Sequence, residues 1–310
     1  SYYYRVGVIK GGSEVIGKEQ KLFAGVFVLV SGSDDTNIHR IDIDGNEKWK
    51  FEKHTNTVQS LTVDSNENIC TASDDQTVKK IDSSGNEVWT FTGNTSDVNG
   101  VVFDVDGNVY SGSNDSIVRK IDPDGNEVWT FNANAGAVYG IDVDYDKNVY
   151  ISLGGGNVKK IDASGNEVWT FKGHSTYVRC VAVDSNTGNV YSGSYDSTVR
   201  KIDPDGNQVW SYGFTSIVWS VSVDTNGNVY AGSGDNTVKK IDPDANTVWS
   251  FSGHSDDIYC TAIDNENNIY TGSKDNTVKK IDSSGNEVWS FNKHTSSIWG
   301  IAVFPNSMRP

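Results

Sequence analysis

The sequence repeats one phrase seven times, and this repetition restricts the fold more than any other feature. The phrase IDSSGNEVW at Ile81 returns as IDPDGNEVW at Ile121 and, in variant form, at each further step along the chain. The copies begin at residues 41, 81, 121, 161, 202, 241 and 281, so the period is close to 40 residues. A repeat of this length is a supersecondary unit that buries its apolar face only by stacking against neighbouring copies. We therefore predict one array of seven structural repeats.

Each repeat contains four short β-type segments. In residues 98–131 these segments are VNGVVF, NVYSGS, IVRKI and EVWTF, which are rich in Val, Ile, Tyr, Phe and Trp. The separators DVDG, ND and DPDG contain the Asp, Asn and Gly residues of tight hairpin turns. Four antiparallel strands per repeat predict an all-β fold, a seven-bladed β-propeller with four-stranded antiparallel blades.

The two ends of the chain predict how the ring closes. A C-terminal segment at about 297–304 matches the first strand of a repeat, whereas the first repeat supplies only the other three strands. Pairing of this segment with the N-terminal blade completes the blade and removes the open sheet edges. The predicted organisation is an N-terminal extension over 1–24 for docking or capping, a propeller over 25–304 and a C-terminal tail over 305–310.

Charge and composition exclude several classes of function. The chain has 310 residues and a formal net charge of -15, whereas nucleic acids and anionic membranes require a basic surface. We expect no nucleic-acid partner, and no membrane insertion, since no stretch approaches the ~20 apolar residues of a membrane span. The run LFAGVFVLV after Lys21 resembles a signal peptide, but it is short and aligns with a later strand. We expect a strand there and no secretion signal.

Cysteine and tryptophan indicate structural roles. Cys70, Cys180 and Cys260 lie in separate repeats, too far apart for a disulfide, so we expect three unpaired buried thiols. One tryptophan stands in the fourth strand of every repeat, and a residue that every blade needs is expected to pack the blades and not to hold a planar cofactor. These residues are Trp49, Trp89, Trp129, Trp169, Trp210, Trp249 and Trp289.

Comparison of the copies separates fixed positions from variable ones. Val or Ile begins each first strand, and a small residue follows two positions later, as crowded inner strands require. The residue between them varies, and over one arc of the ring it is aromatic or arginine. Such residues are frequent interface anchors, so we predict a binding face; the alternative is drift at unconstrained loop positions. The predicted face comprises Tyr139, Tyr177, Arg179, Tyr195, Trp219, Tyr259 and Trp299.

The repeats from about residue 25 to residue 304 resemble those of WD-repeat propellers. In that family a histidine before the first strand bonds to an aspartate in the turn between the second and third strands, and the pair braces the blade. The family's Trp-Asp has become Ile-Asp here, as in VKKID, so its full brace is incomplete. The fifth histidine, His39, has no obvious partner. The resemblance implies four structural pairs, namely His54 with Asp75, His174 with Asp196, His254 with Asp275 and His294 with Asp35.

The EVW strand and the GNVY phrase also resemble the repeats of quinoprotein-type propellers. Those enzymes bind a quinone with Ca²⁺ at the ring centre, but commonly with eight blades and paired cysteines, so we expect no cofactor and no metal here. Calcium at Asp-rich turns such as those of Asp104 and Asp122 is an alternative, although the glycine position favours hairpin turns. GSEVIGKE from Gly12 resembles a phosphate-binding loop but lacks its Ser or Thr and its β–α context.

The sequence shows no set of nucleophile, base and orienting group, so we predict a binding module and not an enzyme. We favour a surface adhesin, or a virion receptor-binding or structural protein, whose one propeller face engages a protein or glycan receptor. Such a protein is soluble and lies on a virion or cell exterior, and residues 1–24 are available for docking to a larger assembly. The first alternative is a cytosolic protein-interaction scaffold of WD-repeat type, and the second is a quinoprotein-type enzyme.

Overall fold

The computed structural model describes residues 7–10, 13–16, 28–134 and 136–304. Two strands, β1 (Gly7–Lys10) and β2 (Ser13–Ile16), pair as an antiparallel hairpin in the N-terminal extension. The rest of the extension lies outside the described residues, including Gly12 and residues 17–19 of the motif that resembles a phosphate-binding loop. Residues 22–27 of the apolar run and the tail over 305–310 also lie outside them. Within the described part of the chain there is no helix with the length and apolar character that crossing a membrane requires.

The other described strands form seven four-stranded antiparallel sheets, and in six of them the strands lie in sequence order. Six of these blades are continuous in sequence. Blade 2 contains β6 (Val58–Val63), β7 (Ile69–Ser73), β8 (Val78–Ile81) and β9 (Glu87–Phe91). Blade 3 contains β10 (Val98–Phe103), β11 (Val109–Ser113), β12 (Ile117–Ile121) and β13 (Glu127–Asn132). Blade 4 contains β14 (Val138–Val143), β15 (Val149–Leu153), β16 (Val158–Ile161) and β17 (Glu167–Phe171).

Blades 5 to 7 follow the same plan. Blade 5 contains β18 (Val178–Asp184), β19 (Asn189–Ser194), β20 (Thr198–Ile202) and β21 (Gln208–Gly213). Blade 6 contains β22 (Val218–Val223), β23 (Val229–Ser233), β24 (Val238–Ile241) and β25 (Thr247–Phe251). Blade 7 contains β26 (Ile258–Ile263), β27 (Ile269–Ser273), β28 (Val278–Ile281) and β29 (Glu287–Phe291).

Blade 1 joins the two ends of the propeller. It contains β3 (Val28–Ser33), β4 (Ile38–Ile41), β5 (Glu47–Phe51) and the C-terminal strand β30 (Ile298–Phe304). β30 pairs antiparallel with β3, in a register that places Gly300 opposite Gly32. The predicted seven-bladed fold and its closure by the C-terminal strand are both confirmed.

The core lies between the blades. Seven buried apolar clusters are present, and each contains residues from two adjacent blades, such as Ile38 of blade 1 with Leu61 of blade 2. The seven first strands contact one another in a closed ring around the axis. A Cβ atom added to Gly300 would lie only 3.1 Å from the Ser60 Cα, which explains why this column holds small residues.

The tryptophan column links each blade to the next. The indole Nε1 of Trp89 donates a 3.0 Å hydrogen bond to the Pro123 carbonyl in the turn of the following blade. All seven tryptophans make the equivalent bond, and Trp289 makes it to Ile43 at 2.9 Å across the closure of the ring. The column therefore fixes the spacing of neighbouring blades through a repeated polar contact as well as through packing.

Candidate binding face at the channel mouth

A β-bulge in every blade positions the side chains at one end of the central channel. The strand register shifts between Val58 and Ser60 in blade 2, and at the equivalent point in the first strand of each other blade. A bulge leaves one residue outside the ladder and re-aims its side chain. The bulged residues are Gln59, Asn99, Tyr139, Arg179, Trp219, Tyr259 and Trp299. The freely varying column of the sequence is therefore the bulge column.

The aromatic members of the predicted face form one continuous network. The Tyr259 and Trp299 rings stack with centroids 3.9 Å apart and planes 9° apart, and Trp219 packs edge-on against Tyr259 at 4.9 Å. Tyr139, Tyr177 and Tyr195 continue the network, with centroid separations of 6.1 Å and 5.7 Å. Tyr195 then reaches Trp219 at 5.3 Å. Tyr177 is the most exposed of these rings, at 47%.

Arg179 lies at the centre of this network. Its guanidinium carbon is 5.2 Å from the Tyr139 ring centroid, 5.9 Å from that of Trp219 and 5.6 Å from that of Trp299. These are cation–π distances, and the contacts hold the side chain across the channel. Its Nη2 also lies 3.5 Å from Gln59 Oε1 on the opposite side of the ring. All seven residues of the predicted face thus lie together at one mouth.

The opposite arc of the mouth is acidic and rich in amides, and its residues are not among those predicted for the face. Gln59 Nε2 donates to Asp74 Oδ2 at 2.9 Å, and Asn114 Nδ2 donates to Asp97 Oδ2 at 3.0 Å. Burial raises the pKa of Asp74, and the nearby carboxylates of Asp97 and Asp34 raise it further. Proximity of like charges disfavours ionisation, so the arc favours a cationic partner. In the sequence, the variable residue that precedes each turn aspartate, such as Asp74 or Asn114, could have indicated that this arc belongs to the face.

The two arcs meet at the seam of the ring, by which we mean blade 1, where the C-terminal strand β30 pairs with β3. Trp299 Nε1 donates a 2.7 Å hydrogen bond to Asp34 Oδ1, and Thr57 Oγ1 donates to the same oxygen at 2.9 Å. On the other flank, burial together with Asp257 and Asp256 raises the pKa of Tyr259 to about 12. The aromatic surface is therefore bordered by carboxylates on both sides, with Arg179 as the cation at its centre.

The central channel, its mouth included, supplies few of the carboxylate ligands that calcium prefers. It encloses about 270 Å³ and is lined mainly by apolar and hydroxyl side chains, with Asp142 as the one carboxylate among the described lining residues. Asp142 already accepts hydrogen bonds from the backbone N–H of Val143 at 2.9 Å and of Val183 at 2.8 Å. Calcium takes six to eight oxygen ligands, carboxylates among them, and the one carboxylate of this lining already accepts two hydrogen bonds.

The Asp-rich turns use their carboxylates internally. Asp122 Oδ1 accepts from the backbone N–H of Asp124 and of Asn126, at 3.0 and 2.8 Å. Asp104 Oδ1 does the same for Asp106 and Asn108, at 2.9 Å each. These are Asx-type turns, in which the carboxylate shapes the loop.

The four histidines of the proposed braces lie between two partners each. His54 Nδ1 donates to Asp75 Oδ2 at 2.7 Å, and its Nε2 accepts from Thr71 Oγ1 at 2.7 Å. The other pairs, His174 with Asp196, His254 with Asp275 and His294 with Asp35, have Nδ1–Oδ2 distances of 2.9, 2.8 and 3.2 Å. In each pair the imidazole side chain is fully buried and the carboxylate nearly so.

The three cysteine thiols have no disulfide partner. Their lack of pairing was expected, and Cys70 and Cys260 are buried as predicted, whereas Cys180 is only partly buried. Burial raises the pKa of Cys180 to about 12, and burial likewise raises that of Cys70 and Cys260. A thiol with a raised pKa is a poor nucleophile at neutral pH.

These features define a class: a closed seven-bladed propeller with one elaborated channel mouth. The model of a repeat family, described as outer membrane protein assembly factor BamB, matches residues 34–170, 114–213 and 154–290. The overlapping matches together span 34–290, and the chain belongs to this family. The match confirms the predicted quinoprotein-type character of the repeats. No curated protein matches the sequence.

Proposed function

We propose that the protein is a non-catalytic binding module whose channel mouth holds an extended segment of a protein partner that carries lysine or arginine. The observation that carries this proposal is the aromatic network of Tyr139, Trp219, Tyr259 and Trp299 around Arg179, set beside the carboxylates of the opposite arc. Aromatic side chains supply large, rigid contact area at low entropic cost, and a carboxylate arc selects positive charge.

The family supports a binding role over catalysis. Its description names a factor that assembles proteins, and assembly requires contacts with protein segments. The proposal therefore favours a scaffold over a virion or cell-surface adhesin, and a protein ligand over a glycan. A glycan receptor would use the same aromatic rings for stacking and the same carboxylates as hydrogen-bond acceptors, so salt dependence and the selected peptides distinguish the two ligand classes.

The experiment is a selection from a random peptide library on the purified chain, with a glycan array in parallel. We expect enriched peptides that contain Lys or Arg, and binding that weakens as salt screens the charges. The test variant replaces Asp74 and Asp97 with Asn, which keeps side-chain shape and removes two charges. The control replaces Asp124 and Asp244 with Asn, in exposed turns away from the mouth.

We expect the Asp74→Asn, Asp97→Asn variant to bind the selected peptides on the order of tenfold more weakly, since charge pairs at an interface contribute both affinity and specificity. The control variant should bind like the wild-type chain. Equal loss in both variants would show a general charge effect and reject the mouth as the site. Glycan binding without peptide binding would reject the protein partner and favour an adhesin.

A further inference from the structure

His39 occupies a position that a cation holds in every other blade. In the register of each blade it corresponds to Lys79, Arg119, Lys159, Arg200, Lys239 and Lys279. In blade 7, for example, Lys279 Nζ pairs with Glu287 at 2.9 Å. His39 Nδ1 makes the equivalent contact with Glu47 Oε2, also at 2.9 Å. Blade 1 therefore replaces a lysine–glutamate pair with a histidine–glutamate pair.

This replacement places a second imidazole beside one of the four His–Asp pairs. The His39 and His294 ring centroids are 4.4 Å apart, with the planes inclined at 74°. Asp35, His39 and His294 each present one ligand atom within 4.8 Å of the other two. His39 and His294 are 3% and 4% exposed, so the group lies inside the protein.

The free atom in this group is the Nε2 of His39. With Nδ1 donating to Glu47, Nε2 carries a lone pair, and it is buried without a hydrogen-bond partner among the described residues. A buried polar atom without a partner is costly, and proteins satisfy almost all of them. A hydrogen-bond donor or a cation bound to Nε2 of His39 would remove this energetic cost.

The geometry points to a divalent transition-metal site formed by Asp35, His39 and His294, with Zn²⁺ as the first choice. Two imidazoles and a carboxylate form a three-ligand zinc set, in which water takes the fourth position. His294 Nδ1 and Asp35 Oδ2 are 3.2 Å apart, the longest such distance of the four pairs. Metal–ligand bonds of 2.0–2.1 Å in a tetrahedron give ligand separations of about 3.3 Å.

Each imidazole also has the outer partner that metal-binding histidines require. Glu47 accepts from His39 Nδ1, which leaves Nε2 for the metal. The Ser31 hydroxyl lies 2.7 Å from His294 Nε2, so this nitrogen can keep its proton while Nδ1 binds the ion. Such second partners fix the tautomer and orientation of the ligand rings. The seam also has Asn at position 37, where the His54, His174 and His254 blades have a threonine whose hydroxyl bonds to the brace aspartate.

The site would join the two ends of the propeller. His294 precedes β30, whereas Asp35 and His39 belong to the N-terminal part of blade 1, more than 250 residues away in sequence. An ion held between them ties the closure of the ring and contributes its binding free energy to the folded state alone. The proposed effect of the ion is to stabilise the closed ring.

The test is zinc binding by tag-free protein, treated with a chelator and then titrated calorimetrically with Zn²⁺ alone. We expect one equivalent to bind, to survive gel filtration as measured by elemental analysis, and to raise the melting temperature. His39→Lys, which installs the residue of four other blades, should fold with the same circular dichroism and bind at least a hundredfold more weakly. His174→Gln disrupts a pair without a second imidazole and should bind zinc like the wild type.

Cobalt provides a second readout of the same site. The wild-type chain with Co²⁺ should show the visible absorption of a tetrahedral ion with nitrogen and oxygen ligands, and His39→Lys should not. If His39→Lys fails to fold, His39→Gln takes its place in both measurements. The proposal is overturned if the wild-type chain binds no stoichiometric zinc, or if a folded His39 variant retains it.

Discussion

Arg119 forms a 2.8 Å ion pair with Asp115 in blade 3, where the histidine position of the blade holds Asn94. Its Nη1 also donates to Asn94 Oδ1 at 3.0 Å. Both charged side chains are nearly buried, at 7% and 8% exposure. The guanidinium reaches from the third strand to the turn aspartate and the loop before the first strand. It thus makes the connection that an imidazole makes in four other blades.

The variant Arg119→Ala tests whether this arginine stabilises blade 3 as a histidine is proposed to stabilise four other blades. The change leaves a buried carboxylate and a buried amide without their partner, so the free energy of unfolding should fall by about 3–5 kcal/mol. Urea denaturation followed by tryptophan fluorescence measures it. The control is Arg200→Ala at the equivalent position of blade 5, where the arginine is 19% exposed and lies 3.8 Å from Asp196, which His174 already binds. There the cost should stay below about 1 kcal/mol, and equal costs would contradict the assignment.

Ala245 offers a test of the hairpin turns. It has a φ of 68° at the position that glycine holds in the six other copies of the turn, such as Gly125 with a φ of 93°. A side chain in this left-handed region costs roughly 1 kcal/mol, so Ala245→Gly should stabilise the chain by about that amount. Gly125→Ala is the reverse change and brings a Cβ atom to 3.1 Å from Trp89. It should destabilise by more than Ala245→Gly gains, as thermal denaturation of both variants would show.

The architecture was predictable from the sequence because it depends on repeated local rules. Alternating turn residues and β-branched segments specify four strands per copy, and the unmatched copy at each end specifies the closure through β30. The face was predictable for a related reason. The seven copies act as internal controls, so a column that varies between two fixed columns is visible without any structure.

Contacts between copies were not predictable in the same way. The bond from Trp89 Nε1 to the Pro123 carbonyl joins a side chain to a backbone atom of the next blade, and a carbonyl leaves no trace in the sequence. Arg119 was missed because Arg200 stands at the same position with a different partner. The contact of His39 with His294 was not predicted because the two residues lie near opposite ends of the chain and meet only when the ring closes.

Asp142 should make stability depend on pH below neutrality. Burial in the channel wall is the main reason that its pKa is raised from 3.8 to about 6. Because the folded pKa lies above the unfolded one, the contribution of Asp142 to stability is full below about pH 4 and is lost as the pH rises through 6. The total is about 3 kcal/mol. Asp142→Ser installs the residue that blade 6 has at this position, Ser222.

The measurement for Asp142 is the difference in unfolding free energy between the wild-type chain and Asp142→Ser, followed from pH 4 to pH 8. Subtracting the variant cancels the other titrating groups. Relative to the variant, the wild-type chain should gain stability as the pH falls from about 6.5 to 4. A difference that stays constant over this range would show that Asp142 titrates normally in the folded protein.

The closure of the ring predicts the behaviour of a chain without its last strand. Removal of residues 297–310 takes away β30, so β3 becomes an open edge and the inner ring has a gap between β26 and β6. Open edges pair with other chains, so this variant should melt at a lower temperature and form oligomers, as size-exclusion chromatography with light scattering would detect.

A synthetic peptide of residues 296–304 should restore the monomer by strand addition. Removal of residues 305–310 alone is the control and should change neither property. A truncated chain that stayed monomeric with an unchanged melting temperature would mean that β30 does not hold the ring closed.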